Sequence, residues 1–393
     1  MSTIAIGQAG GPTAVINASL VGFLEGLDEH HTVYGIMNGY QGLAENDLEL
    51  LEGGMLHWVL SHRFVPGACL GSGRFLFTEE KISQAVRNLK KRDIHTLVFI
   101  GGNGTMAALQ KISHEAKAIG YELQVIGIPK TVDNDLAGTD HAPGFGSAAR
   151  YVALSTRDIS KDLEAMRNFE QVRIIETMGR NAGWLAAASG FLKQSETDGP
   201  HLVCIPEVPI EQGQLLQQIK EMVREYGIVT IVVSEGVTLK GASQVKKAVV
   251  QGRSVLGGIS KQLEDIVREH LGLNARAEIL GMNQRSSIMA ISSQDQLEAY
   301  ETGKKAAEIL KAGKTEVMVA IQYLDSIRYT SILEDCPLEI VASKGERLLP
   351  EEFISNQKRY FRWLKHLIGD NIPSYPPALR RRMIDENLYS GSK

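Results

Sequence analysis

A short apolar run, a loop rich in glycine or aspartate, then a helical stretch: this unit recurs along the chain and restricts what it can fold into. Thr3-Ile4-Ala5-Ile6 runs into Gly7-Gln8-Ala9-Gly10-Gly11-Pro12-Thr13 and a helical stretch over 14–27. Leu97-Val98-Phe99-Ile100 runs into Gly101-Gly102-Asn103-Gly104-Thr105 and a helical stretch over 106–119. Val125-Ile126-Gly127-Ile128 reads as a buried strand and leads into Pro129-Lys130-Thr131-Val132-Asp133-Asn134-Asp135. Strands are also expected over 33–36, 172–175, 202–205, 228–233 and 316–321. Helices are expected over 183–191, 210–226, 259–271 and 296–311. Strand alternating with helix implies an α/β fold of mostly parallel sheets flanked by helices. Ligands of such sheets lie beyond the carboxyl ends of the strands, where these loops fall.

In both glycine loops, backbone N–H groups and a helix N-terminus face that space, an arrangement suited to an anion. Asp133 and Asp135 can divide two tasks: one accepts a proton from an attacking hydroxyl, the other holds a metal ion or orients its neighbour. Lys130 and Thr131 add a cation and a hydroxyl suited to phosphate. Together these groups point to phosphoryl transfer, in which positioning and charge neutralisation carry most of the catalysis. An ordinary Asx-rich turn is the plainer reading of the heptapeptide alone. Neither loop has the Gly-Lys-Ser/Thr of a Walker motif. The G-x-G-x-x-G fingerprint and its acidic partner are also missing, which argues against a nicotinamide enzyme.

At these positions the chain resembles the phosphofructokinase family. Ala9-Gly10-Gly11-Pro12 is similar to the family's first phosphate loop, and Leu70-Gly71-Ser72-Gly73-Arg74-Phe75 to its donor-site arginine segment. Gly101 to Thr105 resembles the GGDGS/T loop, and Lys130 to Asp135 the T-I-D-N-D signature. Met178-Gly179-Arg180 resembles the substrate loop, and Val233-Ser234-Glu235-Gly236 the segment with the sugar-contacting glutamate. Arg276 to Arg285 resembles the stretch with two arginines for the sugar 6-phosphate.

The resemblance implies two doubly wound lobes, residues 1–144 plus about 284–335 for the phosphoryl donor and 145–283 plus about 336–393 for the sugar phosphate. It implies transfer of a phosphoryl group to the C1 hydroxyl of fructose 6-phosphate. Asp133 would be the general base, Thr131 and Arg180 would hold the transferring group, and Lys130 would join them. Gly10, Gly11, Arg74, Gly102, Asn103, Gly104 and Thr105 would bind the donor. Asp135, with Asn103, would hold Mg²⁺, a cation that prefers oxygen ligands. Gln171, Met178, Gly179, Arg180, Glu235, Arg276, Met282 and Arg285 would surround the sugar phosphate, joined by Thr131, Asp133 and Asp135. In the family the arginine at the position of Arg276 reaches a neighbouring subunit's site, so a homodimer or homotetramer is implied.

Three positions depart from the family pattern. Asn103 stands where most members carry a metal-binding aspartate. Met282 stands where His or Tyr commonly faces the sugar. Gln171 replaces an arginine for the sugar phosphate; Arg173, on the same strand face two residues on, is a candidate substitute. As to the donor, Lys130 and the stretch Thr139 to Ser147 resemble pyrophosphate-dependent members, and pyrophosphate is the expected donor. Gly104 points to ATP, because pyrophosphate enzymes often place an aspartate there. A kinase of another phosphosugar or polyol, and a non-catalytic sugar-phosphate binder, are the remaining alternatives.

Composition narrows the function classes further. With 393 residues the chain can form two or more domains. A formal charge of −4 gives no support for nucleic-acid binding, and Arg380-Arg381-Arg382 reads as a solvated tail feature. Cys69, Cys204 and Cys336 form no metal motif and, being odd in number, no disulfide framework. No apolar run approaches a membrane span, so a cytoplasmic protein is expected, in contact with neither membrane nor nucleic acid. Residues 349–393 hold four prolines and are expected to form a helix or two and then an irregular tail.

Overall fold

The computed structural model describes residues 2–28, 30–73, 75–250, 253–324 and 329–376. Arg74 and the Arg380-Arg381-Arg382 cluster lie outside the described residues. In the first part of the chain the strands are β1 (Thr3–Gln8), β2 (Thr32–Ile36), β3 (Leu48–Leu50), β4 (Thr96–Gly101) and β5 (Gln124–Pro129). In the middle they are β6 (Val172–Thr177), β7 (Leu202–Cys204), β8 (Val229–Ser234), β9 (Lys246–Val250), β10 (Arg253–Leu256) and β11 (Ala275–Ile279). The last two are β12 (Val317–Leu324) and β13 (Thr330–Pro337). The chain divides into two compact units. Most of the first is Met1–Tyr151 and Met282–Asp370, and most of the second is Val152–Ala248 and Ser254–Gly281. Residues 336–370, expected with the middle lobe, therefore belong to the first unit.

The first unit is built on a seven-stranded sheet in the order β13-β12-β5-β4-β1-β2-β3. Its five central strands are parallel, and only the edge strands β3 and β13 run antiparallel. Side chains alternate between its two faces, and both faces are buried. Ile4, Ile6, Val98 and Ile100 enter one core with Leu20 and Phe23, while Ala5, Leu97 and Phe99 enter another with Met106 and Leu109. Double burial is why these strands read as continuous apolar runs.

Helices Ile16–Gly26 and Ser293–Lys311 cross backbone to backbone on this sheet. A Cβ added at Gly22 would lie 2.0 Å from the Tyr300 carbonyl oxygen, and one at Gly303 would lie 2.1 Å from that of Ser19. Neither backbone can yield without parting the helices. Gly303→Ala is expected to destabilise the first unit by about 1–3 kcal/mol or more, read as a lower denaturant midpoint. An unchanged midpoint would show that the crossing is looser than these distances.

Residues 139–147 carry a buried polar cluster beneath the Asp133–Asp135 turn. His141 Nδ1 meets Asp140 Oδ1 at 2.9 Å, and Nε2 meets Glu298 Oε2 at 2.8 Å and the Tyr329 hydroxyl at 3.2 Å. The Trp363 indole N–H donates to Asp140 Oδ1 at 3.0 Å. Burial opposes the charged imidazolium, but Glu298 and Asp140 outweigh it and push its pKa up to about 10. An unfolded histidine titrates near 6.5. The raised value stabilises the fold fully below about pH 6.5, less as pH rises towards 10, and not at all above. Urea midpoints should fall across that window, and fall less in His141→Gln. Parallel profiles for the two proteins would refute a charged His141.

The second unit holds a four-stranded, wholly parallel sheet, β11-β6-β8-β7. Val172, Ile174, Val229 and Ile231 pack with Leu215 and Ile219 of helix Gln212–Tyr226 and with Leu263 of helix Ile259–Leu271. Later in the chain, Glu351–Ile354 and Gln357–Ile368 are the expected late helices. The three cysteines are free, and no described helix is long and apolar enough to cross a membrane.

Candidate active site

Three loops meet at the carboxyl ends of β1, β4 and β5. The β1 loop turns at Gly10, whose φ is +78°, a conformation that favours glycine. Its carbonyl accepts from the Ser72 hydroxyl at 2.7 Å. At Gly11 a Cβ would lie 2.7 Å from Arg285 Nη1, so the missing side chain admits the guanidinium. Lys130, only 4 % exposed, donates from Nζ to the Gly11 carbonyl at 2.6 Å. Burial pushes its pKa down to about 8, with Arg285 adding to the fall against the pull of Asp135 and Asp133. Arg285, expected at the sugar phosphate, is thus placed beside the first phosphate loop within the first unit.

The β4 loop opens helix Asn103–Ala118, with the Gly102 carbonyl accepting from Thr105 and Met106 N–H. Thr105 is buried against Gly101, where a Cβ would meet its Oγ1 at 2.1 Å. Gly104 is exposed, and a Cβ there meets nothing within 4 Å.

The β5 turn is held by its own side chains. Thr131 Oγ1 donates to Asp135 Oδ1 at 3.0 Å and accepts from Asp133 N–H at 3.1 Å. Asn134 takes φ +53° and accepts from Ala142 N–H through Oδ1 at 3.1 Å. Asparagine tolerates this left-handed backbone better than most residues. Asn103 Nδ2 donates both to the Asp135 carbonyl and to Asp135 Oδ2, each at 3.0 Å. Burial raises the Asp135 pKa against the bonds from Thr131 and Asn103, and Glu346 adds to the rise.

Asn103 Oδ1 is buried without a hydrogen-bond partner. That oxygen and the Asp135 carboxylate form an all-oxygen donor set, which fits Mg²⁺. Among the described residues no cluster of three His, Cys, Asp or Glu side chains could hold an ion. An ion here would therefore take its other ligands from water and donor phosphates.

In the second unit, the loops after β6 and β8 are locked together. Gly179 has φ +125°, and its carbonyl accepts from the Ser234 hydroxyl. A Cβ at Gly236 would lie 1.6 Å from the Arg180 carbonyl oxygen. Gln244 Nε2 donates to the Arg180 and Gly236 carbonyls at 2.9 and 3.0 Å, and Glu235 N–H donates to Thr177 O. Met178, Gly179, Arg180 and Glu235 are therefore neighbours, as the motifs predict. Gln244 lies in a segment whose composition reads only as loop, and nothing local marks it. Glu176 caps helix Ile259–Leu271, accepting from the N–H groups of Gly258 and Ser260 and from the Ser260 hydroxyl.

Gln171 is not at that end of the sheet. It precedes β6, where its Nε2 donates to the Arg167 carbonyl (3.3 Å) and its Oε1 accepts from Asn274 N–H (3.2 Å). Its amide is committed to joining β6 and β11. Arg173 cannot replace it, because its three nitrogens face Glu170 (2.5 Å), Asp162 (3.2 Å) and Glu278 (3.6 Å). Arg276 pairs in register with Arg173. Five strand residues, roughly 16 Å, separate that register from Met178. Met282 is 57 % exposed at the start of the first unit's last segment.

Comparison with known proteins adds four results. A family model described as Phosphofructokinase matches residues 3–310. A sulfofructose kinase of Alkalicoccus urumqiensis is 48 % identical over 93 % of this chain and 95 % of its own. A pyrophosphate--fructose 6-phosphate 1-phosphotransferase of Halomonas elongata is 32 % identical over 95 % of this chain and 93 % of its own. The crystal structure of a pyrophosphate-dependent phosphofructokinase from Marinobacter aquaeolei superposes with a TM-score of 0.83 at 31 % identity, covering 97 % of this chain and 95 % of that one.

Proposed function

The chain belongs to the phosphofructokinase family, and on that premise we propose that it transfers the terminal phosphoryl group of ATP to the C1 hydroxyl of sulfofructose. Asp133 takes the hydroxyl proton as the C1 oxygen bonds to phosphorus and the bond to the ADP oxygen breaks. By the family pattern, Thr131 and Arg180 would hold the transferring group and Glu235 a sugar hydroxyl. Mg²⁺, held by Asn103 Oδ1 and Asp135, would neutralise the donor phosphates. The observation that carries the choice of sugar is the commitment of Gln171 and Arg173 to other partners. Arg276 is left to meet the acid group at C6, which favours a sulfonate over a doubly charged phosphate. The relative at 48 % identity supports the same choice.

Open space at Gly104 supports ATP as donor. A second reading, pyrophosphate with fructose 6-phosphate, is favoured by Lys130 at the phosphate loop and by the relatives near 32 % identity. A non-catalytic binder would have no use for Asp133 beside Asp135. The test is purified protein with Mg²⁺, given ATP or pyrophosphate, against sulfofructose, fructose 6-phosphate and a panel of phosphosugars and polyols. Sulfofructose with ATP should give the highest kcat/KM. Equal or better turnover of fructose 6-phosphate would overturn the choice of sugar.

The distance along β6 also supports a site completed by a second copy. Arg276 and Arg180 sit towards opposite ends of one sheet, so a single copy of that sheet does not offer both to one sugar. Mixing Asp133→Asn with Arg276→Ala protein, each inactive alone, should restore activity through hybrid dimers. No recovery despite demonstrated subunit exchange would refute a shared site.

A further inference from the structure

We propose that Glu170 selects the charge of the sugar's acid group, admitting the single charge of a sulfonate and discriminating against the second charge of a phosphate. The inference rests on the reading of Arg276 as the group that meets C6. Glu170 is 3 % exposed and bridges the two arginines of the β6/β11 register. Its Oε1 lies 2.5 Å from Arg173 Nε and its Oε2 3.3 Å from Arg276 Nε. Arg173, itself 4 % exposed, also faces Asp162 and Glu278. Two guanidiniums thus stand among three carboxylates, one net negative charge before any ligand arrives. Only the Arg276 side chain, 53 % exposed, presents a guanidinium to solvent from this group.

Sulfonate and phosphate are similar in shape, and each offers three acceptor oxygens. Charge separates them. A phosphate monoester carries about −1.5 to −2 at pH 7, with a second pKa near 6, whereas a sulfonate carries one charge throughout the working range. Glu170, buried and therefore weakly screened, repels the second phosphate charge while leaving Arg276 enough field for the first. Deleting its charge should relax this discrimination, and the relaxation should appear in KM, since Glu170 takes no part in the chemistry.

The experiment measures kcat and KM for sulfofructose and fructose 6-phosphate with the intact enzyme and Glu170→Gln, from about pH 5.5 to 8. In the intact enzyme, KM for fructose 6-phosphate should fall as pH drops through about 6 and the monoanion forms, while KM for sulfofructose stays flat. Glu170→Gln should improve fructose 6-phosphate relative to sulfofructose by about tenfold or more, in KM, and flatten the pH profile. Should that variant fail to fold, Glu278→Gln, at a half-exposed position, removes one charge from the same group and should shift the ratio the same way by less. Sulfofructose turnover with an unchanged ratio in the folded variants overturns the assignment to Glu170. Absence of sulfofructose turnover in the intact enzyme overturns the proposed function instead.

Discussion

Asp133→Asn should leave sugar binding nearly intact and lower kcat by about 10²–10⁴-fold, the usual share of a general base. Groups other than the Asp133 carboxylate set much of the turn's shape, and the Asn amide matches that carboxylate in size. Its fixed bonds run from Thr131 to Asp135 and from Asp133 N–H to Thr131, with Asn134 tied to Ala142. The amide therefore keeps the geometry and loses only the ability to take a proton. Sugar affinity, measured by calorimetry without donor, should change little. A near-normal kcat would remove Asp133 from the role of base.

Gly104→Asp should suppress the use of ATP and spare the use of pyrophosphate. The position is open, and its glycine has no positive φ to lose, so the side chain enters without strain. It falls in the first turn of helix Asn103–Ala118, where an acidic group is favourable. Thermal stability should hold or rise slightly while ATP turnover falls, which separates the effect from misfolding. Two unit charges about 4 Å apart repel by about 4 kcal/mol near a protein surface. Discounted for exposure, that corresponds to a loss with ATP of roughly 10–10²-fold. Equal losses with both donors would show that Gly104 does not select between them.

How far the fold is legible in the sequence depends on where each element is buried. Strands β1, β4, β5, β6 and β8 stand in sheet interiors and read as apolar runs. The edge strand β13 alternates exposed and half-buried residues along much of its length, and β3 has only three residues; neither carries such a run. Helix Phe145–Ala165 escapes a reading by pattern, because it begins inside a motif and carries charge along its length. Within the site, residues of separate motifs are found together: Asn103 with Asp135, and the Arg180 loop with the Glu235 loop. Motif position does not reveal that the Gln171 amide accepts from Asn274 N–H, 103 residues further along. Long-range hydrogen bonds of this kind leave no local pattern, and neither does the carboxylate cage around Arg173.

The family match ends at residue 310, yet the Asp133–Asp135 turn is moored by residues beyond that point. Arg347 N–H donates to the Asp135 carbonyl at 2.8 Å, the Arg347 guanidinium reaches the Asp140 carbonyl, and Trp363 holds the Asp140 carboxylate. Strands β12 and β13 also complete the first sheet from beyond that limit. The stretch matched by the family model thus lacks groups that fasten the turn, while the full-length relatives align over 93 % or more of this chain. Its last stretch behaves as a keystone set after the arch. A ribosome that has made only the first three hundred or so residues has not yet supplied the groups that fasten the Asp133–Asp135 turn.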